Sequence, residues 1–245
     1  PLLFKERKLE IYQDRALIIN TRRAELLLGK IPKSKLLKEF DNGVAQVIVH
    51  WGLDEVVALT DLKVKNPPSP IVKEYSWPGL HKPFAHQITT AQFLSAHRRA
   101  YCLSEAGTGK TSAVIWAADY LMNKKKINRV LVVCPLSIMQ TAWEADIFKT
   151  AMHRTVGIAH GTAERRRKVL AENTDIVIIN YDGIEVVQKE IMDGGFDLIV
   201  IDEANYVKTT TTRRWKSLNK ILKPDTWLWL MTGTPAAQSP ADAYG

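Results

Sequence analysis

The sequence predicts an α/β fold: a parallel sheet with helices on both faces, preceded by a small α+β domain. Three observations carry that expectation. Six apolar runs recur at residues 100–103, 130–134, 156–159, 176–179, 198–201 and 227–231, separated by segments long enough for helices. Strands buried on both faces read as such runs, and their alternation with helices is the pattern of a parallel sheet. A proline cluster, Asn66-Pro67-Pro68-Ser69-Pro70, denies helix or central strand and separates this rhythm from a different one upstream. The composition, 46% apolar and 24% charged over 245 residues, is that of a globular chain long enough to bury a full core. Disorder and collagen-like repeats are thereby excluded.

Taken in order, residues 1–65 read as the α+β domain, 66–79 as a proline-rich linker and 80–245 as the larger domain. In the first, Leu9-Glu10-Ile11-Tyr12 and Ala16-Leu17-Ile18-Ile19 flank Gln13-Asp14-Arg15 as a hairpin. Ala24, Leu27 and Leu28, then Leu36, Leu37 and Phe40, have the spacing of two short helices. Residues 44–51 and 55–64 flank Gly52 as a second hairpin. Beyond the linker, Val114, Ile115, Ala118, Leu121 and Met122 share one helical face, and Trp215, Leu218, Ile221 and Leu222 share another. Trp227 and Trp229 alternate on the last strand and read as core.

No apolar run reaches the ~20 residues that span a bilayer, and the start has no signal-peptide layout. Cys102 and Cys134 each lie in an apolar run, so reduced core thiols and an intracellular setting are expected. The six histidines show no ligand spacing with cysteine, and no structural zinc is expected. The net charge of +8 is clustered: six Lys or Arg in residues 22–38, the run Arg165-Arg166-Arg167-Lys168, and six basic residues with no acid between Glu203 and Asp225. Taken singly such clusters are solvated faces; together with nucleotide chemistry they suit a polyanion.

That chemistry lies in Ser104-Glu105-Ala106-Gly107-Thr108-Gly109-Lys110-Thr111, which follows an apolar strand and opens an amphipathic helix. This is the context of a phosphate-binding loop. Gly107 and Gly109 let backbone amides close around phosphate oxygens at a helix N-terminus. Lys110 is placed to neutralise the β and γ phosphates, and the Thr111 hydroxyl to bind Mg²⁺. Ser104 stands where the general pattern has its first glycine. Further on, the run Leu198-Ile199-Val200-Ile201 ends in Asp202-Glu203. A parallel strand delivers its C-terminal residues to the ligand crevice, so Asp202 is expected in the Mg²⁺ shell and Glu203 on the attacking water.

Gly107-Thr108-Gly109-Lys110-Thr111 with Asp202-Glu203-Ala204-Asn205 resembles motifs I and II of superfamily-two helicases. The segment Leu131-Val132-Val133-Cys134-Pro135-Leu136-Ser137, followed by Trp143 and Asp146, resembles motif Ia of the Swi/Snf-like group of double-stranded DNA translocases. In the same group's order, His160-Gly161 resembles the next glycine step and Ile178-Ile179-Asn180-Tyr181-Asp182 resembles motif Ib. Met231-Thr232-Gly233-Thr234-Pro235 resembles motif III, and Pro83-Phe84-Ala85-His86-Gln87 the adenine-reading Q motif. Asn205 stands where a histidine is usual. The resemblance covers residues 78 to 245.

It implies a RecA-like first motor domain, with ATP and Mg²⁺ as cofactors and DNA-dependent ATP hydrolysis in the full-length protein. Gln87, Ala106, Gly107, Thr108, Gly109, Lys110 and Thr111 would hold the nucleotide, with Lys110, Asp202 and Glu203 catalytic and Thr111 and Asp202 on the metal. Pro135, Leu136, Ser137, Gly161, Asn180 and Tyr181 would contact nucleic acid, and Asn205, Thr232 and Thr234 would couple the two sites. The implied partner is double-stranded or branched DNA, bound by a monomer with no membrane. The setting would be the cytoplasm of a bacterial or phage-infected cell, or a eukaryotic nucleus. Motifs IV to VI are not in this stretch, so it reads as a fragment of weak activity. In layout and charge the small first domain resembles the accessory module of phage UvsW-type and HARP-type fork-remodelling helicases. Two other readings stay open, a non-enzymatic ATP-gated nucleic-acid-binding module and an RNA helicase.

Overall fold

The computed structural model describes residues 9–105, 107–207 and 212–233. The chain divides into two units, Pro1–Glu74 and Tyr75–Gly245, the boundary falling inside the stretch expected as linker. In the first unit an antiparallel sheet of order β1-β2-β4-β3 is built from β1 (Leu9–Tyr12), β2 (Ala16–Thr21), β3 (Ser34–Glu39) and β4 (Ala45–His50). The first hairpin forms as expected. Gln13 and Asp14 both take positive φ, 49° and 52°, and the Arg15 amide donates to the Tyr12 carbonyl at 3.1 Å, a turn whose twist matches the strands. Leu17 and Ile19 of β2 and Val47 and Val49 of β4 alternate onto the buried face.

Two expectations in this unit are corrected. Helix α1 (Ala24–Lys30) forms, but Leu36, Leu37 and Phe40 do not share a second helix. Asp41-Asn42-Gly43 turns the chain, with Gly43 at φ 75° and its amide on the Phe40 carbonyl at 3.0 Å, so residues 34–39 gain a ladder with β4. Cross-strand pairing overrides the helical spacing. Leu36 and Leu37 are left 43% and 49% exposed, and Lys35 and Lys38 sit on an edge strand. Residues 55–64 are likewise not a strand: α2 spans Leu53–Asp61. Leu53, Val56, Val57 and Leu59 make a helical stripe, and Asp54 and Glu55 in the first turn complement the helix dipole. The proline stretch folds onto this unit. The Pro68 carbonyl accepts from the Trp51 indole at 2.8 Å, and after α3 (Ile71–Glu74) begins, Lys73 lies 4.3 Å over the Trp51 ring.

The second unit has the expected α/β architecture. Strands β5 (Arg99–Leu103), β6 (Val130–Cys134), β7 (Val156–Ala159), β8 (Ile176–Asn180), β9 (Leu198–Asp202) and β10 (Trp227–Thr232) form a parallel sheet of order β5-β10-β9-β6-β8-β7. Every residue of β6, β8 and β9 is buried, which is why these strands are continuous apolar runs. One face is covered by a cluster joining Leu131, Ile179 and Ile201 to Leu170, Ile184, Ile191 and Leu218. These last four lie on α7 (Ala163–Ala171), α8 (Tyr181–Val186), α9 (Gln188–Asp193) and α10 (Arg213–Ile221). The remaining helices, α4 (Ala85–Ala96), α5 (Lys110–Asn123) and α6 (Ala145–Thr150), pack together through α5. Trp229 is fully buried and its indole donates to the His97 carbonyl at 3.0 Å. The register sets Thr232 beside Leu103 and Met231 beside Asp202, so the segments leaving β5, β9 and β10 emerge at one edge.

Candidate active site

At that edge β5 runs into the glycine loop and then into α5. Gly107 and Gly109 take φ of 78° and 70°, the left-handed region that other residues avoid. A Cβ on Gly107 would meet nothing within 4 Å, so the backbone there is open to close approach by a ligand. The loop is tied to itself: the Glu105 carbonyl accepts from the Lys110 ammonium at 2.8 Å and the Thr108 hydroxyl at 2.9 Å. It is tied to β10 by the Ser104 amide, which donates to the Thr232 carbonyl at 3.3 Å. Thr111 follows in the first turn of α5. Ala106 lies outside the described residues.

Gln87 is 7% exposed and both ends of its amide are engaged. Its Oε1 accepts from the Phe84 amide at 2.8 Å, closing the start of α4, and its Nε2 donates to the Gly109 carbonyl at 3.2 Å. Beside it the His86 Nε2 lies 2.8 Å from the Thr108 carbonyl. Gln87 therefore straps α4 to the phosphate loop, a role sequence reading missed. The available signal was a glutamine at the third position of a helix, where such side chains reach back to the free first amides.

The acidic pair ends β9. Asp202 is buried, its Oδ2 accepting from the Trp143 indole at 2.8 Å and its Oδ1 from the Glu203 amide at 2.9 Å. A π-helical turn over Met139–Glu144 carries Trp143. Burial raises the Asp202 pKa above the usual carboxylate range; the Trp143 bond opposes this, the Glu203 charge adds to it, and Lys110 is near enough to lower it. Glu203 adopts φ 55°, a strained conformation for a residue with a side chain. Its Oε2 accepts from the Thr232 hydroxyl at 3.4 Å, and the Tyr181 hydroxyl donates to the carbonyls of both acidic residues. The Asn205 Oδ1 is buried without a hydrogen-bond partner among the described residues. Thr234 lies outside them.

A cleft of about 430 Å³ opens next to this turn, lined in part by Pro135, Leu136, Ser137, Tyr206 and Arg214. Leu136 and Ser137 are exposed in it. Asn180 and Tyr181, expected at the nucleic-acid surface, also line it but are only 8% and 3% exposed, because the end of β8 is enclosed. The Asn180 Oδ1 accepts from the Arg166 guanidinium at 2.9 Å, and Arg166 also donates to the Gly161 carbonyl at 3.1 Å. Those side chains shape the wall from within. Gly161, at φ 95°, is exposed. Two cleft residues escaped sequence reading. Tyr206, 47% exposed, stacks on Tyr181 with centroids 5.6 Å apart, and Arg214 lies over both rings. Arg214 is chelated by Asp182, at 2.9 and 3.2 Å. The basic stretch after Glu203 was the only sign of it.

With this geometry in view, comparison with known proteins gives a family. Residues 86–245 match the family model of the SNF2-related domain. The chain belongs to the SNF2-related family. It is similar to the Sulfolobus solfataricus SWI2/SNF2 ATPase core in complex with dsDNA, with a TM-score of 0.58 and 25% identity over 68% of this chain and 35% of that one. The SNF2-related chain is 30% identical over 151 residues to a SWI/SNF-related matrix-associated actin-dependent regulator of chromatin subfamily A-like protein 1 from Xenopus laevis, covering 62% of this chain and 15% of the relative. It is 29% identical over 142 residues to an uncharacterized ATP-dependent helicase of Mycoplasma genitalium, covering 57% and 14%. It thus spans about a seventh of the length of these curated relatives. The second unit is a superfamily-two, Swi/Snf-like motor domain of RecA-like fold. Among the described residues no helix of this SNF2-related chain is long and apolar enough to cross a membrane.

The residues fit a nucleotide and its metal. The Gly107 backbone leaves room for phosphate, and the Thr111 hydroxyl and the Asp202 carboxylate are the hard oxygen donors that Mg²⁺ takes. Among the described residues each Asp202 oxygen accepts one hydrogen bond, from the Trp143 indole or the Glu203 amide, and keeps a further lone pair.

Proposed function

We propose that this domain binds ATP with Mg²⁺ at the glycine loop and couples hydrolysis to movement along, or remodelling of, double-stranded or branched DNA. The observation that carries the proposal is the convergence of Lys110, Asp202 and Glu203 at one sheet edge, beside a cleft walled by Tyr206 and Arg214. In this reading the amides from Gly107 to Thr111 and the α5 dipole receive the phosphates, and the Lys110 ammonium leaves the Glu105 carbonyl for the β and γ oxygens. Thr111 and Asp202 would hold Mg²⁺, which when bound would supply positive charge against that developing on the phosphates. Glu203, fixed by its left-handed turn and the Thr232 hydroxyl, orients the attacking water and accepts its proton. Gln87 positions the loop and reads adenine beside it. The half-buried Pro135 and the exposed Leu136, Ser137 and Gly161 contact the DNA backbone, with Asn180 and Tyr181 supporting that wall. Asn205, Thr232 and Thr234 connect the wall to the nucleotide. The basic residues of the first unit add sequence-independent phosphate contacts.

The test is ATP turnover by the full-length protein, with and without duplex DNA, compared with Glu203→Gln. The proposal expects stimulation by duplex, and for Glu203→Gln an ATP affinity within a few-fold of the parent with turnover down at least about 10²-fold, the scale of general-base catalysis. Parental turnover by Glu203→Gln, or indifference to DNA, would refute it.

A further inference from the structure

We propose that Tyr181 is a positioning residue for hydrolysis, joining the nucleic-acid cleft to the catalytic turn. The inference rests on the reading of Glu203 given above. Tyr181 opens α8 directly after β8 and faces two ways. Its ring walls the cleft under Tyr206, the planes 17° from parallel, with the Arg214 guanidinium 5.9 Å from its centroid. Its hydroxyl, at the other end, donates in a shared bond to the carbonyls of Asp202 at 2.5 Å and Glu203 at 3.1 Å.

The Glu203 carbonyl also receives the Tyr206 amide at 3.0 Å. Two residues of one aromatic stack thus grip the main chain of the residue whose φ is 55°. The strained turn persists because its surroundings over-determine it. On the cleft side, Asp182 holds Arg214 in a bidentate pair. A DNA phosphate has the geometry to compete for that fork. Any shift of Arg214 bears on both rings, and through the Tyr181 hydroxyl on the turn that aims Glu203. Thr232 holds the Glu203 carboxylate while Tyr181 and Tyr206 hold its carbonyl, so rotation of the turn would take Glu203 off its water.

The experiment is Tyr181→Phe in the full-length protein, a change that keeps the ring and removes the donor. The expected result is a kcat for DNA-stimulated hydrolysis about tenfold lower, the effect of losing one such bond. KM for ATP and affinity for duplex should stay within twofold, and amide hydrogen exchange at residues 203–206 should accelerate. Tyr206→Ala, at an exposed position, should lower the ratio of DNA-stimulated to basal turnover several-fold. An unchanged kcat and exchange rate in Tyr181→Phe would overturn the inference. A loss of ATP and DNA affinity together with kcat would also overturn it, by assigning the hydroxyl to stability alone. Glu203→Gln separates the two claims. If it hydrolyses ATP normally, the underlying reading fails; if it is inactive while Tyr181→Phe is normal, the positioning role alone fails.

Discussion

Gly107→Ala and Gly109→Ala ask whether Gln87 is bound into the phosphate loop. Both glycines have left-handed φ, 78° and 70°, so an alanine at either costs roughly 1–2 kcal/mol in backbone strain, offset by ~0.4–1 kcal/mol from a stiffer unfolded chain. At Gly107 nothing lies within 4 Å of the new methyl, and the net loss should stay near 1 kcal/mol. At Gly109 the methyl collides with the Gln87 Nε2 and sits 3.4 Å from its Cδ. Gln87 must then leave the Gly109 carbonyl and release the Phe84 amide. Two hydrogen bonds at ~0.5–1.5 kcal/mol each, with a buried amide left short of partners, bring the expected loss to roughly 3–5 kcal/mol. Urea unfolding followed by tryptophan fluorescence measures both variants, and Gln87→Ala in the Gly109→Ala background completes a double-mutant cycle. The collision predicts that the second change recovers part of the loss. Equal costs at the two glycines, or strict additivity in the cycle, would refute the strap.

Asp119 is buried in α5 and accepts from the Tyr75 hydroxyl at 2.6 Å, the His153 Nε2 at 2.8 Å and the Arg154 guanidinium, so Asp119→Ala should cost about 3–5 kcal/mol in urea unfolding. A loss under 1 kcal/mol would show that this cluster is replaceable by water. In the first unit Lys33 pairs with Glu55 at 3.7 Å, whereas Lys35 and Lys38 stand on the β3 edge. Lys35→Ala with Lys38→Ala should therefore flatten the log–log salt dependence of duplex binding by up to about two units, at ~0.9 per phosphate. An unchanged slope would return these lysines to the solvated surface. Gln87→Ala should reduce preference for ATP over GTP in competition binding; equal competition by the two nucleotides against the parent protein would remove its adenine role.

The second unit was legible because its physics is local. Strands enclosed on both faces must be apolar throughout, so 130–134, 176–179 and 198–201 announced themselves, and the glycine–lysine–threonine order marked the loop between β5 and α5. The first unit was harder to read. Leu36, Leu37 and Phe40 fit a helical stripe, yet the Asp41-Asn42-Gly43 turn and a central partner strand decide their state, and both act across sequence. Val56, Val57 and Leu59 fit strand or helix, with Asp54 and Glu55 the overlooked signal for a helix start. At the site, Gln87 and Tyr181 were named from the sequence, but for adenine and nucleic acid and not for the main chain they hold, and Arg214 was not named at all. Gln87 and Tyr181 act on carbonyls whose direction is set by Gly109 and by the left-handed turn at Glu203. No sequence pattern states where a carbonyl points.

Third-strand displacement from a DNA triplex measures movement along duplex directly, without strand separation. The full-length protein should displace the strand when ATP and Mg²⁺ are present and fail to do so with Glu203→Gln, although that variant still binds ATP and duplex. Displacement by Glu203→Gln at the parent's rate, or ATP hydrolysis by the parent with no displacement on any duplex, would contradict the assignment of this site to DNA translocation.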